Sequence, residues 1–197
     1  SRQKEIGVKY KYGGLLTTLS YFYIDQKNVI DIDVGGGKYR RAADGRDKFK
    51  GVEWTVNGKL APKWTVTGGL MYIDAKRDKT QGGKNDGRFV NGVADWSGVL
   101  GLVYEPNDSL GIIGRVIWND AAYIDNSNAS SGKTKIPSYT TFDLGVNYKT
   151  HLGGIPVSLS AMCYNVANKD YWMGRGSSTT FGLSMPRTFM LSARFEF

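Results

Sequence analysis

Pro186-Arg-Thr-Phe-Met-Leu-Ser-Ala-Arg-Phe-Glu-Phe197 closes the chain. Phe189, Leu191, Ala193, Phe195 and Phe197 share one parity, and Met190, Ser192, Arg194 and Glu196 share the other. Strict period-two alternation over this length specifies a strand with one apolar and one wet face. An aromatic stands as the final residue. A membrane-spanning barrel strand has this pattern, apolar toward lipid and polar toward the lumen, with aromatics at the interface. A soluble sandwich also ends in alternating strands, so the upstream sequence has to decide.

Working back from that strand, Pro156–Ala167 sets Val157, Leu159, Ala161 and Cys163 against Ser158, Ser160, Met162 and Tyr164. Tyr139–Thr150 sets Phe142, Leu144, Val146 and Tyr148 against Asp143, Asn147 and Lys149. Leu110–Ile124, Val93–Glu105, Trp64–Ala75 and Asp47–Leu60 alternate in the same way. Leu15–Val34 reads as one long strand of unclear phase, because Leu15, Leu16, Leu19, Phe22 and Ile24 do not share a parity. Gln3–Gly13 carries Ile6, Val8, Tyr10 and Tyr12 opposite Lys9 and Lys11. The expected fold is therefore all-β, an antiparallel meander of about nine strands.

Two regularities favour a transmembrane β-barrel. Connections alternate in length. Gly13-Gly14, Ala61–Lys63, Pro106–Ser109 and His151–Ile155 are short, while Gly35–Arg46, Arg77–Gly92, Asp125–Pro137 and Asn168–Met185 are long and polar. All long connections then lie at one end, the asymmetry of barrels with short periplasmic turns and long external loops. Aromatics also bracket the apolar faces, as in Trp64 with Tyr72, Trp96 with Tyr104, Phe142 with Tyr148 and Phe189 with Phe197. Girdles at both rims of an apolar band produce this arrangement. The four long connections hold twelve Lys and Arg against five Asp, nearly all of the formal charge of +8. Such an outward field attracts anions.

The chemistry of enzymes finds little support. His151 is the single histidine and falls in a short turn. It offers neither a zinc cluster nor a Ser–His–Asp arrangement. Gly35-Gly36-Gly37 lacks the Lys-Ser/Thr of a phosphate loop. Cys163 has no partner for an internal disulfide and reads as a small apolar residue on a strand face. Lys38-Tyr39-Arg40-Arg41 interleaves aromatic and basic residues as single-stranded nucleic-acid binders do. The membrane pattern accounts for the same residues, and no nucleic-acid partner is expected.

Pro137-Ser138-Tyr139 followed by Phe142-Asp143-Leu144, then Tyr164-Asn165-Val166-Ala167-Asn168-Lys169-Asp170-Tyr171-Trp172, then Pro186-Arg187-Thr188-Phe189 running to Phe197, resemble the carboxyl end of TonB-dependent outer-membrane receptors of the ferric-siderophore type. Lys4–Tyr10 and Gly51-Val52-Glu53 fit the same pattern. The resemblance implies a 22-stranded barrel around an amino-terminal plug. Residues 1–197 then form a carboxyl-terminal fragment of the barrel, with plug and TonB box absent. It implies the outer membrane of a Gram-negative bacterium, and TonB-energised uptake of a ferric siderophore into the periplasm. Iron is carried only as a ferric-siderophore ligand, and no cofactor is expected. Expected partners are the siderophore, the TonB complex, lipopolysaccharide and the barrel-assembly machinery, for which Phe189, Phe195 and Phe197 are the signal.

Arg supplies charge-assisted hydrogen bonds and Tyr and Trp supply flat apolar surface. The candidate ligand residues are therefore Tyr39, Arg40, Arg41, Tyr123, Trp172 and Arg175. Asn165 and Asn168 are expected to hold strand-end geometry instead. Two rival readings remain. The same scaffold takes haem, cobalamin or a glycan, or the chain is a small self-contained porin or adhesion barrel. The second requires strand one to close on strand nine.

Overall fold

The computed structural model describes residues 1–125, 134–174 and 181–197. Its strands in chain order are β1 (Arg2–Tyr12), β2 (Leu15–Gly35), β3 (Lys38–Ala61), β4 (Trp64–Lys79), β5 (Trp96–Tyr104), β6 (Leu110–Asn119), β7 (Ala122–Asp125), β8 (Thr134–Ile136), β9 (Tyr139–Leu152), β10 (Ile155–Tyr164), β11 (Trp172–Gly174), β12 (Phe181–Leu183) and β13 (Thr188–Phe195). Nine of them form one antiparallel sheet in the order β1-β2-β3-β4-β5-β6-β9-β10-β13. The remaining four make two small hairpins, β7 with β8 and β11 with β12, inside the long connections. The expected meander is present. β1 and β13 are the two edges of this sheet. They do not close on each other, as the self-contained reading required.

Residues directly opposite in an antiparallel pair share a face. The register therefore traces apolar rows across the sheet. One runs Ile6, Tyr21, Val52, Tyr72, Trp96. Another runs Val66, Leu102, Gly114, Leu144, Cys163, Phe189. Many of these side chains are open, with Ile6 at 75%, Leu144 at 54% and Phe189 at 74% exposure. Among the described residues the buried apolar set is only Phe22, Val66, Ala75, Ala122, Ile136 and Val157. A soluble sandwich buries one face of each sheet against the other. Here the apolar rows instead stand open across several strands, the kind of exposed patch that marks a contact surface. No helix of the described residues is long and apolar enough to cross a membrane.

The aromatic girdles fall where the pattern puts them. Trp64 stacks on Tyr104 with ring centroids 4.6 Å apart at one rim, and Tyr72 meets Trp96 at 5.0 Å at the other. Eight residues separate Trp64 from Tyr72, roughly 26 Å along the strand, enough for a tilted strand to cross the apolar band. Inside the band, the Trp54 indole N–H donates to Thr17 Oγ1 at 2.8 Å, and Thr17 Oγ1 donates to the Thr55 carbonyl at 2.9 Å. A polar group in hydrocarbon needs such a partner. Thr17→Val strands the indole N–H. It is expected to cost about 1–3 kcal/mol, read as a lower urea midpoint for unfolding from lipid vesicles. The double variant with Trp54→Phe should recover most of the loss.

The phase of β2 is now defined. Leu19 and Tyr21 face outward, while Phe22 turns to the lumen and is 8% exposed. Phe22 lies opposite Gly51, and its ring covers the place where a side chain would stand. An apolar residue on the wet face had obscured the alternation.

Several boundaries differ from expectation. Gly35–Arg46 is not a loop. β2 and β3 continue as a hairpin far beyond the girdle and turn at Gly36-Gly37, whose φ values are 61° and 72°. The Gly35 N–H donates to Asp33 Oδ1 at 2.8 Å and fixes the turn. The strand reading of Leu15–Val34 already covered the β2 side of this hairpin, and the part missed is Lys38–Arg46 of β3. Leu110–Ile124 is not one strand either. It breaks after Asn119, where the Asp120 carboxylate accepts the Ala121 N–H at 2.7 Å and the Asp120 N–H donates to the Trp96 carbonyl. β5 begins at Trp96 rather than Val93, and β13 ends at Phe195, although the Glu196 N–H still donates to the Pro156 carbonyl.

Candidate ligand-binding end of the barrel

The end bearing the long connections is built from four pieces: the β2–β3 hairpin, residues 80–95, the β7–β8 hairpin and the β11–β12 hairpin. Tyr39, Arg40 and Arg41 lie at the top of the first. They pair across the hairpin with Asp33, Ile32 and Asp31. Arg41 Nε stands 3.3 Å from Asp31 Oδ1. Tyr39 lines a cleft of about 740 Å³ with Ile30, Ile32, Asp44 and residues 79–86. Within it Lys79 Nζ reaches Asp44 Oδ2 at 2.8 Å. That ammonium holds the Asp44 carboxyl below its ordinary value. The 80–86 turn is fixed by Asp86 Oδ1, which accepts the Thr80 N–H and hydroxyl at 2.7 and 2.8 Å. Lower on the hairpin, partial burial raises the Asp47 carboxyl, against the pull of Arg77 and of the Asn28 amide.

Tyr123 lies on β7. Its ring stacks on Phe89 at 4.8 Å, Lys135 Nζ sits 4.3 Å above it, and Lys76 Nζ lies 5.4 Å from Phe89. This cation–ring–ring–cation pile ties three segments together, and its contacts are with the protein itself. Trp172 is half exposed on β11, edge-on to Phe181 at 6.2 Å. Leu183 and Met185, 70% and 59% exposed, extend the same apolar hairpin. β11 approaches β8, so the Tyr123 and Trp172 pieces are neighbours. The residues of the β2–β3 tip stand on a separate hairpin. Arg175 lies outside the described residues.

One polar knot ties the wall to the connection between β10 and β13. Arg115 on β6 contacts Asp143 Oδ2 on β9 through Nε at 2.7 Å and Nη2 at 2.6 Å. The other oxygen of Asp143 accepts the Asn165 N–H at 2.8 Å. Asn165, at φ 50° and 5% exposure, donates through its amide to the carbonyls of Lys169 and Met185 and accepts the Lys169 N–H. Asn168, at φ 49°, accepts the Arg187 N–H. Both asparagines hold strand-end geometry, as expected. The Arg115–Asp143 pair escaped the sequence reading because its members lie 28 positions apart. Their shared lumen parity on adjoining strands was the available signal.

The outward charge also needs correction. Because Gly35–Arg46 is a strand, Asp25, Asp31 and Asp33 of β2 stand beside the cations counted there. Arg46 pairs with Asp25 at 3.0 Å. The end is a mosaic of ion pairs, and its positive excess is smaller than the loop count implied.

Comparison with known proteins follows this geometry. The family model described as TonB dependent receptor-like, beta-barrel, matches residues 1–166. The ferrichrome receptor FcuA of Yersinia enterocolitica is 28% identical over all of the chain, which covers 26% of that receptor. The metal-pseudopaline receptor CntO of Pseudomonas aeruginosa is 30% identical over 75% of the chain and 21% of its own length. The crystal structure of BauA, the ferric preacinetobactin receptor of Acinetobacter baumannii, superposes with a TM-score of 0.84 at 28% identity, covering 99% of the chain and 29% of that receptor. The chain thus spans about a quarter of these relatives, which are transport receptors of the Gram-negative outer membrane. With its single nine-stranded sheet, outward apolar face and paired girdles, the chain belongs to the TonB-dependent receptor β-barrel family.

Proposed function

We propose that the chain forms wall and outer loops of a receptor that binds a ferric siderophore outside the cell and delivers it to the periplasm. The observation that carries this reading is the end-to-end match of the nine-stranded meander to the receptors for ferrichrome and ferric preacinetobactin. The loop end suits it. Tyr39 in the hairpin cleft and Trp172 on its apolar hairpin offer ring surface, with Arg40 and Arg41 close to Tyr39. Iron is cargo in this scheme, held by the chelator's own oxygens, and the protein contributes no catalysis and needs no resident cofactor. The plug and the TonB box belong to the receptor outside residues 1–197, and energy reaches the barrel through them. Phe189, Phe195 and Phe197 present the strand read by the assembly machinery. Phe195 and Phe197 stack at 6.3 Å, and Phe197 is fully exposed.

The test is growth. A receptor-deletion strain carrying the full-length gene is grown on defined iron sources. Rescue on one or more ferric siderophores is expected. Rescue on haem or cobalamin with none on any iron chelate overturns the assignment.

A further inference from the structure

The Arg115–Asp143–Asn165 knot has two ends, one in the lumen and one at the outer connection. Arg115 lies opposite Asp143 on β9 and opposite Gly101 on β5. Both guanidinium contacts, from Nε and Nη2, go to the single oxygen Oδ2 of Asp143. The other oxygen takes the Asn165 N–H. A guanidinium offers five N–H donors, so donors remain after both contacts. The Arg115 side chain is 39% exposed, whereas that of Asp143 is 4% exposed. The open donors therefore face the lumen, and the carboxylate lies behind them.

Arg115 is the one charged residue of β5 and β6. Val99 lies opposite Ile117, and Val103 opposite Ile113. These four apolar residues flank Arg115 and Gly101 on the same face. Gly101 leaves a hollow beside the guanidinium, since a Cβ there would find nothing nearer than 3.6 Å. Tyr164 stands on another side, its ring 5.7 Å from the guanidinium carbon. A charge so framed attracts an anion more strongly than one surrounded by water. At the far end, Asn165 holds the carbonyls of Lys169 and Met185 and the Lys169 N–H, so both ends of the outer connection hang on it. An anion at Arg115 competes with Asp143 for the guanidinium, because two carboxylates on one cation repel each other. A buried carboxylate without its counter-charge is costly. Turning toward water relieves that cost and gives up the Asn165 N–H.

We propose that Arg115 is a luminal binding point for an anionic oxygen of the carboxylate class carried by the ligand in transit, and that its arrival loosens the outer connection between β10 and β13. The inference rests on the uptake reading above, which brings a ligand through the lumen. An empty lumen leaves Asp143 neutralised and the connection anchored at Lys169 and Met185. A ligand oxygen beside Gly101 draws the guanidinium away, Asp143 loses its counter-charge, and Asn165 is released. The outer end of the barrel thereby registers what has passed into the lumen. Coupling between two sites needs one element with two arrangements that both sites bias. Here that element is the Asp143 carboxylate, shared between Arg115 and Asn165.

The experiment places the anion on the protein itself. Gly101→Asp in the full-length receptor sets a carboxylate beside Arg115, and Gly101→Asn sets a neutral group of the same size there. Hydrogen exchange at the Asn165 and Lys169 amides is followed by mass spectrometry in mild detergent, with no ligand added. The wild type is expected to be protected and Gly101→Asn to match it. Gly101→Asp should exchange at least about tenfold faster. Val99→Glu against Val99→Gln approaches the guanidinium from the adjoining row and covers a Gly101→Asp receptor that fails to assemble. Asn57→Asp sets a carboxylate on the row of Gly101 and Arg115 but three strands away from Arg115, roughly 14 Å, and should leave exchange unchanged. Wild-type rates in an assembled Gly101→Asp or Val99→Glu receptor overturn the proposal. So does an equal acceleration in Asn57→Asp or in the neutral variants. An unprotected connection in the ligand-free wild type also overturns it, since an anion of the receptor itself would then already sit at Arg115. Growth rescued by haem alone overturns the uptake assignment and leaves these exchange rates as they are, so the two failures are distinguishable.

Discussion

Gly51→Val in the full-length receptor is expected to abolish assembly, leaving no heat-modifiable barrel in the outer membrane. Gly51 sits on the lumen face between Phe22 of β2 and Ile73 of β4. A Cβ at this position would collide with the Tyr72 carbonyl oxygen and come within 2.6 Å of the Phe22 ring. Tyr72 lies on the strand that pairs with β3 along most of its length, so its carbonyl cannot retreat without parting the ladder. Phe22 is itself buried, at 8% exposure. Overpacking of this kind costs about 3 kcal/mol or more, placed where two of the longest strands must register. Gly69→Ala is the matched control. Its nearest neighbours would be 3.7 and 3.9 Å away, and near-normal assembly is expected. A Gly51→Val receptor as resistant to urea as wild type would sink this account.

Asp143→Ala is expected to leave the barrel folded but to release the long connection between β10 and β13. Its carboxylate side chain is 4% exposed and accepts from both the Arg115 guanidinium and the Asn165 N–H. Removing it leaves a buried N–H without that acceptor and a guanidinium that keeps, among the described residues, the Tyr164 ring at 5.7 Å. Breaking a buried pair costs roughly 3–5 kcal/mol. Arg115 keeps 39% of its side chain in contact with solvent, so a value near the lower end, about 3 kcal/mol, applies here. The loss falls on Asn165, which anchors Lys169 and Met185. Limited proteolysis on whole cells should cut the variant within 165–187 while the rest of the barrel stays intact. Arg115→Met combined with Asp143→Leu should regain much of the protection, because no charge is then left unpaired. Wild-type resistance of Asp143→Ala would show that the knot does not hold the connection.

Much of the fold could be read from local pattern. The closing strand, the paired aromatics and the alternation of connection ends follow from the period of two, which each strand displays on its own. The errors fell where one residue type served two structural purposes. Gly35-Gly36-Gly37 with its charged neighbours looked like a loop, since a solvated hairpin above the membrane has no apolar face to show. Leu110–Ile124 looked continuous because Ala122 and Tyr123, which pair with β8 in a different sheet, are followed by the strand-like Ile124. Phe22 broke the phase of β2 because it fills the space left by Gly51 on the neighbouring strand.

The candidate site was less legible. Composition marked Tyr39, Arg40, Arg41, Tyr123 and Trp172, but not which of them share a surface. The structure puts the first three on one hairpin, packs Tyr123 between Phe89 and Lys135, and leaves Trp172 on a short hairpin of its own.

The sequence by itself determined the all-β class, the membrane-facing parity of most strands and the end at which the long connections gather. These are properties of residues two apart, or of single turns. The tertiary structure alone decided the register that aligns Ile6 with Trp96 in one row, the Arg115–Asp143–Asn165 knot and the closeness of Phe22 to Gly51. Each joins residues on different strands, and their juxtaposition depends on how far one strand is shifted against the next. Alternation within a strand fixes which face a side chain takes. It carries no measure of that shift.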